Sequence, residues 1–584
     1  MDFQKNPLPD KPRLNLVIHS GGCISSIKEG NAISLTKPSQ KEGYLIVFPI
    51  NKNYLQESNM KKININTIKK YSPLGGLGGI FLLLLSCSSP SIPTDATHTD
   101  KLPDIYPDYN GVTIPANLCP TNFMLPDCEE AVARLSFGDI SFTYGDDNKI
   151  VIDEEEWQEL RSAAAGSNKG INVEIYGKKD GKWICYKSFP IYVAKDTIDP
   201  YISYRLIQPS YVAYEGLAIV QRNLTNYEES DIYNNRMIHT EEKGQCINCH
   251  SFQNYGTKNM MFHMRQYCGG TMFLSNGELK KIDLKTDSTI SAGVYPSWHP
   301  TADLVAFSTN TTRQIFHTVD RDKIEVLDYE SDLILYDVQK NEVSNISNVP
   351  DEHECFPTWS PDGTTLYYTS AHIDTTLFND GEKSFRRHYD KIKYNIYSRS
   401  FDLTTHKFGE PKLVFDAAQL GKSASLPRVS PDGRYIAFAL GNYGCFHVWH
   451  RDADIAIIEN GKWKIGNSTD TKNSQFSIVN SQLVSALNSS ESESYPSFSS
   501  NGRWIMTASR REDGSYTRPY ISYFDAQGKC HKAFSVPQKD PEHNHLLLRS
   551  YNRPEFMKEK VNVSPLQFAT KAQEDAVRAN YVSK

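Results

Sequence analysis

The sequence predicts an all-β protein, a β-propeller of about six blades preceded by a small β-sandwich-like domain. Three observations predict it: a proline-centred segment recurs at long intervals, an apolar strand follows each copy, and tight-turn pairs close the hairpins. The copies are Tyr295-Pro296-Ser297-Trp298-His299-Pro300, Phe356-Pro357-Thr358-Trp359-Ser360-Pro361-Asp362-Gly363, Leu426-Pro427-Arg428-Val429-Ser430-Pro431-Asp432-Gly433 and Tyr495-Pro496-Ser497-Phe498-Ser499-Ser500-Asn501-Gly502. Their prolines stand 61, 70 and 69 residues apart. Asp-Gly and Asn-Gly supply the positive φ angles of hairpin turns. One small antiparallel sheet cannot bury both of its faces, so sheets repeating in this way must stack radially.

The strands after each turn read as apolar runs, such as Leu366-Tyr367-Tyr368-Thr369 and Tyr435-Ile436-Ala437-Phe438. Two upstream segments read as degenerate blades, Ile202–Leu206 with Leu217–Leu224, and Met272–Lys280, which brings the count to six. The long period places insertions at 371–394 and 466–490. Before the propeller, residues 104–198 form the sandwich-like unit. There Ile171–Ile175 and Trp183–Tyr186 pair across Asp180-Gly181, and Asp153–Glu156 is a solvated lead-in to a helical turn at Trp157. After it, residues 546–584 form a C-terminal extension. Ser564 caps a helix with Pro565 at its first position, and the helix is expected to reach about Tyr581.

These repeats resemble the TolB-type (WD40-like) β-propeller, in which an aromatic-Pro-Ser-Trp-Ser-Pro-Asp-Gly turn opens each blade. The resemblance covers roughly residues 200–545. It departs from that pattern in its longer period and in Thr301-Ala302-Asp303, which replaces the first Asp-Gly turn. The resemblance implies an envelope propeller that docks partner proteins.

Cys246-Ile247-Asn248-Cys249-His250 is the stretch richest in chemistry. CxxCH is the covalent attachment pattern of haem c: two thiols add to the vinyl groups, and the histidine becomes the proximal iron ligand. A redox CxxC, half a zinc site and coincidence compete with this reading, but no second CxxC or HxxxH completes a zinc site. The expectation is one covalent haem on Cys246 and Cys249, in an insertion at about 233–265 between early blades. Its distal ligand is sought among Met260, Met261, His263 and Met264. Strand alternation puts Met261, His263 and Arg265 on one face and Met260, Phe262 and Met264 on the other. His263 is the preferred distal ligand, with Arg265 on a propionate and His239 as an outside candidate.

Residues 60–87 read as a lipoprotein signal: Met60, a lysine-rich start, an apolar core to Leu85, then Ser86-Cys87. Leu84-Leu85-Ser86-Cys87 resembles a lipobox, which makes Cys87 the lipidated first residue. Residues 1–59 then read as an over-extended start, and 87–103 as a flexible tether. Setting aside the 11 Lys/Arg and 5 Asp/Glu of residues 1–86 leaves 52 against 64, a net charge of −12. An acidic exported domain argues against nucleic acid and fits a cationic or protein partner, with the membrane reached through Cys87. The location expected is the periplasm or cell surface. Seven further cysteines, from Cys119 to Cys530, show no disulfide framework.

The sequence has no GxSxG elbow, P-loop, HExxH or calcium loop, which counts against a hydrolase. The leading expectation is a mono-haem electron carrier or redox sensor on a docking propeller. A non-redox envelope scaffold is the alternative, and a haem peroxidase-like enzyme with an open distal position is the weaker one.

Overall fold

The computed structural model describes residues 90–145, 147–208, 214–238, 240, 242–317, 322–462 and 485–583. The repeated turn holds itself together with its own side chains. Ser360 Oγ donates to Asp362 at 2.5 Å and accepts from the Thr365 amide at 3.0 Å. Ser430 with Asp432 and Tyr435, and Ser499 with Asn501 and Trp504, repeat the arrangement. Gly363, Gly433 and Gly502 take φ of 73°, 72° and 66°, which a side chain disfavours. In the first copy His299 replaces the serine, its Nδ1 accepting from the Ala302 amide at 3.0 Å. That substitution accounts for the absent Asp-Gly.

Six sheets follow in chain order, and their innermost strands touch one another around a closed ring. These inner strands are Gln245–Gln253, Val294–Trp298, Glu352–Trp359, Ser423–Val429, Glu493–Phe498 and Ser550–Met557. The last belongs to the first blade, where it pairs with Tyr201–Ile207. Chain closure therefore joins one C-terminal strand to three early ones. The two degenerate segments are the first and second blades, as read from sequence. Apolar clusters fill the space between neighbouring blades, such as Met261, Phe273, Trp298, Phe307 and Tyr336 between the second and third.

Two boundaries are corrected. The propeller does not stop at 545, because Ser550–Met557 is one of its inner strands. The segment 233–265, expected as an insertion, instead supplies the first two strands of the second blade, Gln245–Gln253 and Gly256–Gln266. The alternation expected along the latter strand is observed. Met260, Phe262 and Met264 pack toward the first blade, and Met261 toward the third.

The N-terminal unit is β-rich and takes the form of one seven-stranded sheet with a two-stranded ribbon. A helix, Glu154–Ala164, is laid against that sheet and capped by Asp153, so the acidic lead-in is its first turn. This unit shares a core with the first and sixth blades, and the Trp504 indole donates to the Thr197 carbonyl at 2.9 Å. The C-terminal helix has the expected Ser564 cap but ends at Ala572. Beyond it, Val577–Arg578 and Asn580–Tyr581 add parallel outer strands to the second and third blades. The insertion at 371–394 carries a helix, Gly381–His388. That at 466–490 falls mostly outside the described residues, as do Cys87 and His239. Among the described residues, no helix is long and apolar enough to cross a membrane.

Candidate functional site

Every inner strand carries a bulge at the same place, and the bulge builds the axis. Tyr295, Phe356, Leu426, Tyr495 and Arg553, each followed by proline, take φ of 51°, 53°, 55°, 49° and 51°. The strand register slips at each of these points. A sixth residue does the same: Cys249, at φ 56°, with the register slipping between Asn248 and Ser251. Cys249-His250-Ser251-Phe252 is thus the second blade's copy of Tyr295-Pro296-Ser297-Trp298, with histidine in the proline position. A left-handed conformation costs a non-glycine residue about 1–2 kcal/mol. Such bulges re-aim side chains, here toward the propeller axis.

The re-aimed side chains stack in tiers. Tyr295, Phe356, Leu426, Tyr495 and Arg553 surround a throat with room for about 10 Å³. Above it opens a funnel of about 400 Å³, lined by the residues that follow each proline position: Ser251, Ser297, Thr358, Arg428, Ser497 and Glu555. Four hydroxyls, one cation and one anion therefore face one space. Arg553 donates to Glu555 Oε1 at 3.1 Å and to the Pro296 carbonyl at 3.1 Å. Arg428 approaches the same carboxylate at 3.6 Å. Two guanidiniums against one carboxylate leave the funnel one positive charge in excess. Burial, then the neighbouring Arg553, brings Arg428 down to about 10, so it stays charged at neutral pH. Trp298 also borders this space, but its indole N–H is buried and has no hydrogen-bond partner, and its ring packs against Phe273 between the second and third blades.

The residues singled out for haem lie beside this axis but are not gathered around a common space. Cys246 is half-buried, Cys249 is buried, and His250 is fully enclosed. The His250 ring faces the backbone carbonyls of Ser203 and Arg553 without reaching hydrogen-bonding geometry, so both its nitrogens are unpartnered. Burial, then Arg553 and Arg205, holds it well below the ordinary histidine range and hence neutral. His263 is also buried, its Nδ1 3.0 Å from Thr271 Oγ1, and burial with nearby Arg265 lowers it to about 3.

Strand register separates the two histidines. His263 pairs with Asn248 and Thr271 on the face toward the third blade, whereas His250 looks toward the first. One iron cannot take both, which corrects the choice of His263 as distal ligand. Met261 shares the His263 face. Met260 and Met264 share the His250 face but are 0% and 1% exposed among Ile247, Phe262 and Met272. Arg265 is exposed, and its charge acts on Cys246, Tyr295 and Asp328. As folded, these residues do not fit a haem, because His250 is packed between blades where a porphyrin would need several hundred Å³.

The His250→Pro substitution makes the second blade match its five sisters. It should keep the thermal midpoint within about 3 °C at pH 7.5. The sign in acid follows from linkage: a histidine depressed in the fold lends stability above the unfolded value, near 6.5, that is lost as pH falls. The variant should therefore gain on the parent by about 1.4 kcal/mol per pH unit below about 6.5. Urea melts at several pH values check this, and a variant that fails to fold would contradict the repeat assignment.

No protein-family model and no curated protein matches the chain. Solved structures with related strand arrangements include a prolyl endopeptidase, 11% identical with a TM-score of 0.28 over 57% of this chain. The chain spans only 42% of that protein. The β-propeller domain of the trilobed protease from Pyrococcus furiosus is 11% identical, with a TM-score of 0.22 over 61% of this chain and 80% of that one. A putative dipeptidyl aminopeptidase IV from Bacteroides ovatus is 10% identical, with a TM-score of 0.24 over 64% and 59%. Scores this low carry no argument of their own, and no activity passes from these proteins to this chain. The strand topology establishes the fold: the chain is a six-bladed β-propeller.

Proposed function

We propose that this protein is a binding propeller of the cell envelope that captures a carboxylate-bearing segment of a partner protein in its axial funnel. The observation that carries this is the convergence of Arg428 and Arg553 on a single Glu555. A carboxylate entering there meets a surplus cation, and charge-assisted hydrogen bonds are the strong kind. Aromatic residues one position farther along the inner strands, including Phe252, Trp359 and Phe498, offer apolar walls to a chain end. Placement at the envelope rests on the Met60–Cys87 signal.

The test is a fluorescence titration of Trp298 and Trp359 with short peptides ending in free carboxylates. Binding should saturate, and Arg428→Gln should weaken it at least about tenfold, as expected for a hydrogen bond to a charged group. C-terminal amidation of the peptide should have a similar effect. An affinity that neither change alters would refute the assignment.

Electron transfer through haem c is the second reading. It draws on the Cys246–His250 run and on the two unpartnered nitrogens of His250. It requires the strand Gln245–Gln253 to leave the inner ring, because both faces of that strand are packed.

A further inference from the structure

Outside the funnel, the described residues bring together one set of metal-ligating side chains, two sulfurs and a carboxylate. The Cys355 and Cys445 sulfurs and a carboxylate oxygen of Asp328 lie within 4.8 Å of one another, and all three residues are buried. Asp328 comes from the strand Ile324–Asp337 of the third blade and Cys355 from the inner strand of the fourth. Cys445 follows the strand Tyr435–Gly441 of the fifth. Cys355 precedes the throat residue Phe356, which places it on the opposite side of the throat from the funnel. Tyr295, Phe356 and Phe446 pack together there, their ring centroids 4.5–5.5 Å apart.

We propose that Asp328, Cys355 and Cys445 form a zinc site that ties the third, fourth and fifth blades together behind the throat. Tetrahedral zinc with bonds of about 2.0–2.3 Å needs its ligand atoms roughly 3.5–3.8 Å apart. Cys445 Sγ already stands 4.0 Å from Asp328 Oδ2. Two thiolates suit a soft ion, and the carboxylate favours zinc over copper(I). The carboxylate is oriented as a metal ligand is, Asn310 Nδ2 donating to Oδ2 at 2.7 Å and Thr312 to Oδ1 at 2.7 Å.

Asn310 supplies the second observation. It is 8% exposed, and its Oδ1 has no partner although its amide nitrogen is bonded to the carboxylate of this cluster. A zinc-bound water in the fourth position would donate to that oxygen. Zinc with two thiolates and one carboxylate carries a net charge of −1, and the Arg265 charge acts on Asp328 in the favourable sense. Binding releases the two thiol protons, so affinity rises with pH.

The test is a cobalt(II) titration of the full chain, reduced and stripped with chelator. A thiolate-to-cobalt charge-transfer band should saturate at about one equivalent and be displaced by zinc. It should be lost in Cys355→Ser/Cys445→Ser and survive in Cys246→Ala/Cys249→Ala. Should the serine variant fail to fold, Asp328→Asn is the second probe, with an expected loss of affinity of more than about tenfold. Zinc should also raise the thermal midpoint of the parent chain. No band, a band that follows Cys246 and Cys249, or a Cys355–Cys445 disulfide in the unreduced chain would each overturn the site.

Discussion

Deleting residues 546–584 abolishes the cooperative thermal transition of the whole propeller. The deletion removes Ser550–Met557, the inner strand of the first blade, and with it the buried side chains of Tyr551, Phe556 and Met557. Tyr201–Ile207 then loses its axial partner and the ring opens between the first and sixth blades. An open ring exposes two apolar blade faces and an unpaired edge, a template for aggregation. Deleting only residues 576–584 removes short outer strands and should lower the midpoint by no more than about 5 °C. Calorimetry of both truncations decides the matter. A chain ending at 545 that melts cooperatively would mean that closure does not depend on the C-terminal strand.

Arg518→Met should cost about 3–5 kcal/mol, the usual loss when one partner of a buried charged network is removed. Arg518 is 2% exposed. It donates to the carbonyls of Arg549 at 2.6 Å, Asn544 at 2.7 Å and Leu547 at 2.8 Å. Those carbonyls belong to the loop that delivers the closing strand, and methionine would leave all three without this donor, that of Asn544 fully buried. The comparison variant is Arg578→Met. It breaks an ion pair with Asp287 whose side chains are 58% and 95% exposed, and such pairs contribute little. Denaturant melts should show a large shift for the first and almost none for the second. Equal shifts would remove Arg518 from its role in closure.

Four of the six inner strands were legible because their prolines mark them, and two of these are followed by Ser-Pro-Asp-Gly and one by Ser-Ser-Asn-Gly. The other two escape the pattern for different reasons. Cys249-His250-Ser251-Phe252 has histidine where the others have proline, and Arg553-Pro554-Glu555-Phe556 ends the ring, so no hairpin turn follows it. The alternation of Met261 and His263 against Met260 and Met264 was legible because that strand is regular. The orientation of His250 was not, since the bulge at Cys249 breaks the alternation before it. Arg428 could have been noticed as the one non-hydroxyl residue after proline among the four aligned repeats. Asp328, Cys355 and Cys445 left no local trace, because three different blades bring them together. The helix expected to reach Tyr581 ended early because its last residues gain hydrogen bonds to the blades as parallel strands.

The central claim is that Cys249-His250 is an inner-strand repeat and that binding takes place in the funnel. Its most direct test is an optical spectrum of the chain exported in a host with haem c maturation machinery. The spectrum is taken after denaturing removal of any non-covalent haem. The account predicts no retained haem chromophore, with the peptide response of Trp298 and Trp359 intact. A retained chromophore that disappears in Cys246→Ala/Cys249→Ala would contradict it and establish a cytochrome in which the second blade's inner strand is rebuilt around iron.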